Sequence, residues 1–207
     1  MLRKTLFALA VSLLFMTSAY ACPINVAEGA DVTLHGEFGV LRDGSGWEYY
    51  DPADASTLTD GEFLPVSTTW NDGSVWWDEF VPESANNWIE IDLGMVYELV
   101  GFIVQADDND AYLLEYWDGG TDSWVTAWDI PVVGGWGDQT RPNVNDNTDI
   151  FELGTPIMTD RLRFTAVFAN DQYYSVTEIQ AFAMPEPGTL ALLGIGLIAM
   201  ALVRRRI

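Results

Sequence analysis

Lysine is almost absent from this 207-residue chain, Lys4 being the only one, and there is a single cysteine, Cys22, and a single histidine, His35. One cysteine cannot close an intrachain disulfide, so stability has to come from a packed core or from bound metal. A serine or cysteine hydrolase needs a base beside its nucleophile, usually histidine, and catalytic zinc centres favour histidine and cysteine ligands. With one residue of each kind, nucleophilic triads and zinc chemistry are both disfavoured. No GxxxxGK[ST] phosphate loop and no Rossmann glycine pattern occurs. A glycosidase with paired carboxylates stays open in a chain so rich in acid. No distinctive acid pair stands out, however, and the residues read as a binding protein rather than an enzyme.

Positive charge is equally scarce away from the ends. Between Glu28 and Glu186 only Arg42, Arg141, Arg161 and Arg163 oppose 31 acidic residues, a formal charge of −27. Nucleic acid is bound by neutralising phosphates with lysine and arginine, so it is excluded as a partner, and anionic lipid surfaces are disfavoured too. Disordered acidic chains are poor in aromatics, whereas this one has nine tryptophans, eight tyrosines and ten phenylalanines. It folds. Divalent cations relieve self-repulsion of this kind, so calcium dependence is expected from charge alone.

The ends carry the long apolar runs. Arg3 and Lys4 precede an apolar stretch from Thr5 to Met16 and small residues at Ser18, Ala19 and Ala21, the order of a secretory signal peptide. A buried helix is the alternative, but the run has the length of a signal core. Cleavage after Ala21 starts the mature chain at Cys22. The preceding Ala19-Tyr20-Ala21 departs from the Leu-Ala-Gly pattern of lipidated cysteines, so Cys22 is read as unlipidated.

At the other end Pro185-Glu186-Pro187 leads into an apolar stretch from Leu190 to Val203 and then Arg204, Arg205 and Arg206. The stretch is short for a span of about 17 to 25 residues, and snorkelling arginines extend its reach, giving a predicted membrane helix over 189–203. The positive-inside rule puts the arginines in the cytoplasm and everything before Pro185 outside. This Pro-Glu-Pro, helix and arginine order resembles the PEP-CTERM sorting signal of exported bacterial proteins. The resemblance implies an exosortase-type transpeptidase as partner, transient insertion in the inner membrane, cutting near Pro185 to Pro187, and a final place in the outer envelope or extracellular matrix. A plain single-span anchor is the alternative. Three segments follow: signal peptide 1–21, one domain 22–184 and tail 185–207.

The middle segment, about 160 residues, is long enough for one core burying roughly 70% of its unfolded surface. It shows short alternating or apolar runs split by Gly, Asp, Asn and Pro, with no sustained 3.6-residue period, and so reads as all-β. In Trp88-Ile89-Glu90-Ile91-Asp92-Leu93 the aliphatic residues share one face, and Gly94 is expected to end that strand. Further strands are predicted at Leu99 to Gln105, Ala111 to Trp117, Trp124 to Ile130, Ile150 to Leu153, Arg161 to Phe168 and Val176 to Ala183. Asp107-Asp108-Asn109-Asp110 reads as a solvated hairpin turn; it lacks the glycine and glutamate of an EF-hand loop. The segment from Gly134 to Thr148 reads as turn-rich loop, and Gly36 to Trp77 as loops and short edge strands. Seven or more strands at this spacing suggest a sandwich or jelly roll.

Three stretches together resemble the discoidin-like, coagulation-factor type C domain, a galactose-binding jelly-roll β-sandwich. They are Leu58-Thr59-Asp60-Gly61-Glu62-Phe63 with Thr68-Thr69-Trp70, then Trp88 to Gly94 with Val100-Gly101-Phe102, then Tyr174-Ser175-Val176-Thr177-Glu178-Ile179. The resemblance spans residues 26 to 183. It implies loops at one end that bind polysaccharide or surface glycan, and a structural calcium held by Asp60, Glu178, the Thr68 or Thr69 hydroxyl and the Leu58 carbonyl, with Glu62 nearby. It also implies an aromatic platform at Tyr173 or Tyr174 beside Asn170 and Asp171. Trp76, Trp77 and Trp136, in Gly- or Asn-rich segments, are further candidates for ligand contact, with core filling as the alternative for each. The basic partner common in galactose binders has only Arg141 as a candidate. A non-catalytic glycan-binding protein is thus the expectation; a structural biofilm protein associating through calcium bridges, without a glycan pocket, is the alternative.

Overall fold

The computed structural model describes residues 22–81, 86–168 and 171–185. The signal segment, the tail from Glu186 onward and Asn170 lie outside the described residues. Among the described residues no helix is long and apolar enough to cross a membrane.

Residues Ile24–Ala183 form one compact unit. Its strands are β1 (Ile24–Asn25), β2 (Asp31–His35), β3 (Val75–Asp78), β4 (Trp88–Asp107), β5 (Ala111–Asp118), β6 (Ser123–Ile130), β7 (Asp138–Arg141), β8 (Phe151–Phe168) and β9 (Tyr173–Ala183). A 3-10 turn covers Ala55–Thr59, capped by the Asp54 side chain accepting from the Ser56 amide. The chain is all-β, and every strand pairing is antiparallel.

Two strands, β4 with 20 residues and β8 with 18, are long enough to serve two layers. The first part of β4 lies between β2 and β8, with Ile91 opposite both Val32 and Leu162, and β5 and β6 extend that layer. Its last part lies between β9 and β7, with Val104 opposite both Ile179 and Arg141, and β1 and β3 line the far edge of β9. Between the two parts the ladder slips at Asp92/Tyr97 and Leu99/Gly101, as strand bending at a bulge requires. Gly94 sits there at φ +76°, a conformation glycine adopts without a Cβ clash. Buried Ile89, Leu114 and Leu162 from one layer and Val104, Val176 and Ile179 from the other belong to a single hydrophobic cluster. The result is a jelly-roll β-sandwich.

The alternation predicted for Trp88 to Leu93 holds: Ile89, Ile91 and Leu93 are buried while Trp88, Glu90 and Asp92 are not. Other expectations are corrected. Gly94 does not end a strand, because the bulge carries β4 through it to Asp107. Likewise Ile150 to Leu153 and Arg161 to Phe168 fall mostly within one strand, β8. The Gly134 to Thr148 loop contains β7, Asp-Gln-Thr-Arg, buried at all four positions. The Asp107 to Asp110 turn does connect β4 to β5, yet it is not solvated: Asp107, Asp108 and Asp110 are all buried.

Candidate functional site

Those last two corrections have one cause, the fully buried Arg141. It ends β7, which pairs with the last residues of β4, and its guanidinium therefore lies under the β4–β5 turn. Nη1 donates to the carbonyls of Ala106 (2.6 Å) and Gln139 (3.0 Å). Nη2 donates to Asp107 (2.5 Å), Asp108 (3.3 Å) and Asp110 (3.3 Å), and Nε to Pro131 (3.3 Å). Five fixed donors in a planar fork suit such a cage of carbonyls. A sequence offering Asp-Asp-Asn-Asp as a free turn thus has its backbone drawn inward.

The carboxyls follow the backbone into low dielectric. Burial, then the charges of Asp108 and Asp171, raise Asp107 to about 7. Burial, then Asp107 and Asp171, raise Asp110 to about 9. Burial also pushes Asp108 up, and Asp138 well up despite the Ser175 hydroxyl donated to its Oδ1 at 2.8 Å. Desolvation disfavours the charged form, so the shift favours a protonated Asp110 at neutral pH, with the Tyr112 hydroxyl 3.2 Å from its Oδ2. The phenol in turn donates to the Ser175 carbonyl at 2.9 Å.

Beside this turn is an open cleft. Its polar wall is Asp107, Asp108 and Asn109 from the β4–β5 turn with Asp171 from the β8–β9 loop. Its aromatic wall is Trp47 and Trp70 from the β2–β3 segment with Trp136 from the β6–β7 loop. Four connections, all at one end of the sandwich, build it. Trp47 stands between the other two indoles, 5.7 Å from Trp70 at 84° and 6.4 Å from Trp136 at 41°. Trp136 is 57% exposed. The buried Trp70 indole N–H and Asn109 Oδ1 have no hydrogen-bond partner within the described residues. Among the described residues no cationic side chain lines the cleft; Arg42 reaches the Asp171 carbonyl (3.3 Å) while paired with Asp78 (3.0 Å). Gly137, at φ +61°, closes the rim so tightly that a Cβ there would overlap the Thr68 carbonyl. Gly137→Ala is therefore expected to displace Trp136 and to weaken any ligand of the cleft several-fold, readable as a change in tryptophan fluorescence and in binding.

Of the aromatics expected to meet a ligand, Trp136 lines the cleft and the others do not. Trp76 and Trp77 are buried in β3, because the β2–β3 segment folds back over that strand: Gly39 N donates to the Trp76 carbonyl and Ala53 N to that of Ser74. Tyr173 is buried behind the cleft, 4.9 Å from Trp70 and hydrogen-bonded by Arg42 Nε at 3.0 Å. Tyr174 stacks on Trp77 in the core and donates to Glu79 at 3.2 Å. Asp171 is in the cleft wall; Asn170 lies outside the described residues. Arg141, expected as a basic ligand contact, has its donors taken by carbonyls and is a positioning residue for the turn.

The residues expected to hold calcium are partly gathered. Glu178 is fully buried, accepts from Gln180 Nε2 at 3.0 Å, and its Oε2 has no close hydrogen-bond partner among the described residues, the Gly61 backbone lying near. Burial raises it to about 8, with Asp60 and Glu28 adding to the effect. Asp60 and Glu62 are exposed in the turn after the 3-10 helix, which buries Leu58. Thr68 bonds the Pro65 carbonyl through Oγ1 (2.6 Å) and takes the Asp138 amide on its own carbonyl (2.9 Å). The Thr69 carbonyl takes the Asp72 amide (2.8 Å). Among the described residues no three His, Cys, Asp or Glu side chains converge on one point, so an ion at Glu178 would depend on carbonyl and hydroxyl oxygens as well.

The fold is similar to that of the discoidin-like β-sandwiches. A fucolectin from striped bass (Morone saxatilis) serum superposes with TM-score 0.50 at 10% identity, over 78% of this chain and 49% of that one. The family 32 carbohydrate-binding module of Clostridium perfringens NanJ, solved with galactose, superposes with TM-score 0.49 at 11% identity, over 77% of this chain and 97% of that one. No curated protein matches the sequence. Residues 185–206 match the PEP-CTERM protein-sorting motif. The chain thus combines a jelly-roll β-sandwich with a C-terminal segment matching a protein-sorting motif.

Proposed function

We propose that this protein is a non-catalytic glycan-binding protein of the cell envelope or extracellular matrix, processed by an exosortase-type enzyme and holding exopolysaccharide or surface glycan in the Trp47–Trp70–Trp136 cleft. The observation that carries the reading is the juxtaposition of an exposed indole, Trp136, with the polar wall of Asp108, Asn109 and Asp171. Sugar sites combine an apolar platform with a few polar groups that fix orientation, and an exposed tryptophan offers a large apolar face. A panel of polysaccharides tested against the full chain, solubilised in a detergent without a sugar headgroup, checks it. At least one polymer is expected to bind, and Trp136→Ala to weaken it tenfold or more with little change in melting temperature. A blank panel, or binding indifferent to Trp136→Ala, rejects the cleft.

We extend the proposal to calcium. Glu178 and Asp60 would supply carboxylates, with the Leu58 carbonyl and the Thr68 or Thr69 hydroxyl completing the set near Glu62; the unpartnered Glu178 Oε2 is the group an ion would satisfy. A hundredfold excess of calcium over its dissociation constant adds about 2.7 kcal/mol of stability, which for a domain of this size is about 5 to 10 °C in melting temperature. Melting with calcium and with chelator measures it, and coincident curves dismiss the ion.

A further inference from the structure

We infer that the cleft selects a glycan carrying a free protonated amine, a de-N-acetylated amino sugar, over neutral and uronic acid glycans. The inference rests on the reading of the cleft as the glycan site and concerns the chemistry of what enters it.

Asp107, Asp108 and Asp171 line the cleft and, among the described residues, no cationic side chain does. The two arginines close by are committed elsewhere: Arg141 to six backbone carbonyls, Arg42 to Asp78 and the Tyr173 hydroxyl. The hydrogen-bond donors of both guanidiniums are thus spent inside the protein, while the charge of Arg141, held behind the turn, offsets part of that of Asp107 and Asp108. Three indoles line the same cleft, of which Trp136 is exposed, and an indole face attracts cations. Aromatic faces and carboxylates in one cleft suit an ammonium group whose carrier is itself a flat-faced ring. A uronate entering the same space would bring like charge against an acidic wall in which Asp107, raised to about 7, is partly charged at neutral pH, and an N-acetyl group would replace a charged donor by a neutral amide.

The experiment compares disaccharides, so that polymer charge does not attract the polyanionic surface as a whole. The full chain in a detergent without a sugar headgroup is titrated at pH 7 with the glucosamine, N-acetylglucosamine and galacturonic acid disaccharides. The glucosamine disaccharide is expected to bind at least tenfold more tightly than its N-acetylated form, and the uronate not at all. Asp108→Asn and Asp171→Asn are each expected to remove most of that preference while leaving the N-acetylated affinity within twofold. Asp122→Asn, an exposed carboxylate outside the cleft, leaves every affinity unchanged. Equal or tighter binding of the N-acetylated sugar overturns the inference, as does a preference that survives both cleft variants. If Trp136→Ala abolishes binding but N-acetylation has no effect, the amine inference alone falls. If sugars still bind to Trp136→Ala, or none binds at all, the cleft reading falls with it.

Discussion

Replacing Arg141 by methionine is expected to destabilise the sandwich by about 3 to 5 kcal/mol, the range for removing one partner from a buried charged network. The side chain is fully buried and serves carbonyls of Ala106, Asp107, Asp108, Asp110, Gln139 and Pro131. Methionine fills much of the volume but donates nothing, and buried carbonyls left without donors cost about 1 to 3 kcal/mol each before the turn relaxes. Relaxation would carry Asp107, Asp108 and Asn109 away from the cleft, so glycan binding is expected to weaken with stability. Arg141→Lys should fall in between, since one ammonium has three donors where the guanidinium has five. Urea denaturation of the three proteins measures the series. An Arg141→Met protein as stable as the parent would show that the turn is held by other means.

Melting temperature is expected to be highest in mildly acid solution and to fall, by the order of 10 °C, between pH 5 and pH 9. Asp107 and Asp110 have folded-state values of about 7 and about 9, above the ordinary 3.8. The folded state therefore holds protons that the unfolded chain has lost. Their contribution is complete below the unfolded value and disappears as pH rises to the folded one, at up to about 1.4 kcal/mol per pH unit for each proton. Both act below pH 7 and Asp110 alone from 7 to 9. Asp54, Asp118 and Asp146 work in the opposite sense: hydrogen bonds lower their values, so their help fades only in stronger acid. Asp110→Asn, which keeps a donor for Tyr112 without an ionisable group, should flatten the decline between pH 7 and 9. A melting temperature constant from pH 5 to 9 would mean that these carboxyls are not held protonated.

How far the site could be read in advance depended on which signal each residue carried. Trp136, flanked by glycines in a long loop, stood out as an aromatic without an apolar pattern around it, and the structure leaves it exposed. Trp76 carried the same local signal and is buried, because the covering segment is some thirty residues upstream and no local rule foretells its path. Trp47 follows Gly44-Ser45-Gly46, a flexible setting that marks it as a loop aromatic, and Trp70 was visible only as part of a family-like motif. Strand β7 escaped notice for a different reason. Asp-Gln-Thr-Arg has no apolar alternation, since its side chains are buried by pairing with one another's neighbours, as Asp138 does with Ser175 and Arg141 with the turn carbonyls.

Periodicity by itself determined the all-β class and the run of inward-facing residues in β4, because these depend on neighbours a few residues apart, and the short Pro-Glu-Pro motif with its arginine cluster sufficed for the resemblance to a sorting tail. Only the tertiary structure decided which aspartates are buried, which tryptophans meet solvent and that Arg141 supports a loop in place of touching a ligand. Burial and carbonyl geometry are set by contacts between segments tens of residues apart. The same Asp-Asp-Asn-Asp string is a solvated turn on an open hairpin and a partly protonated wall when a buried guanidinium holds its backbone.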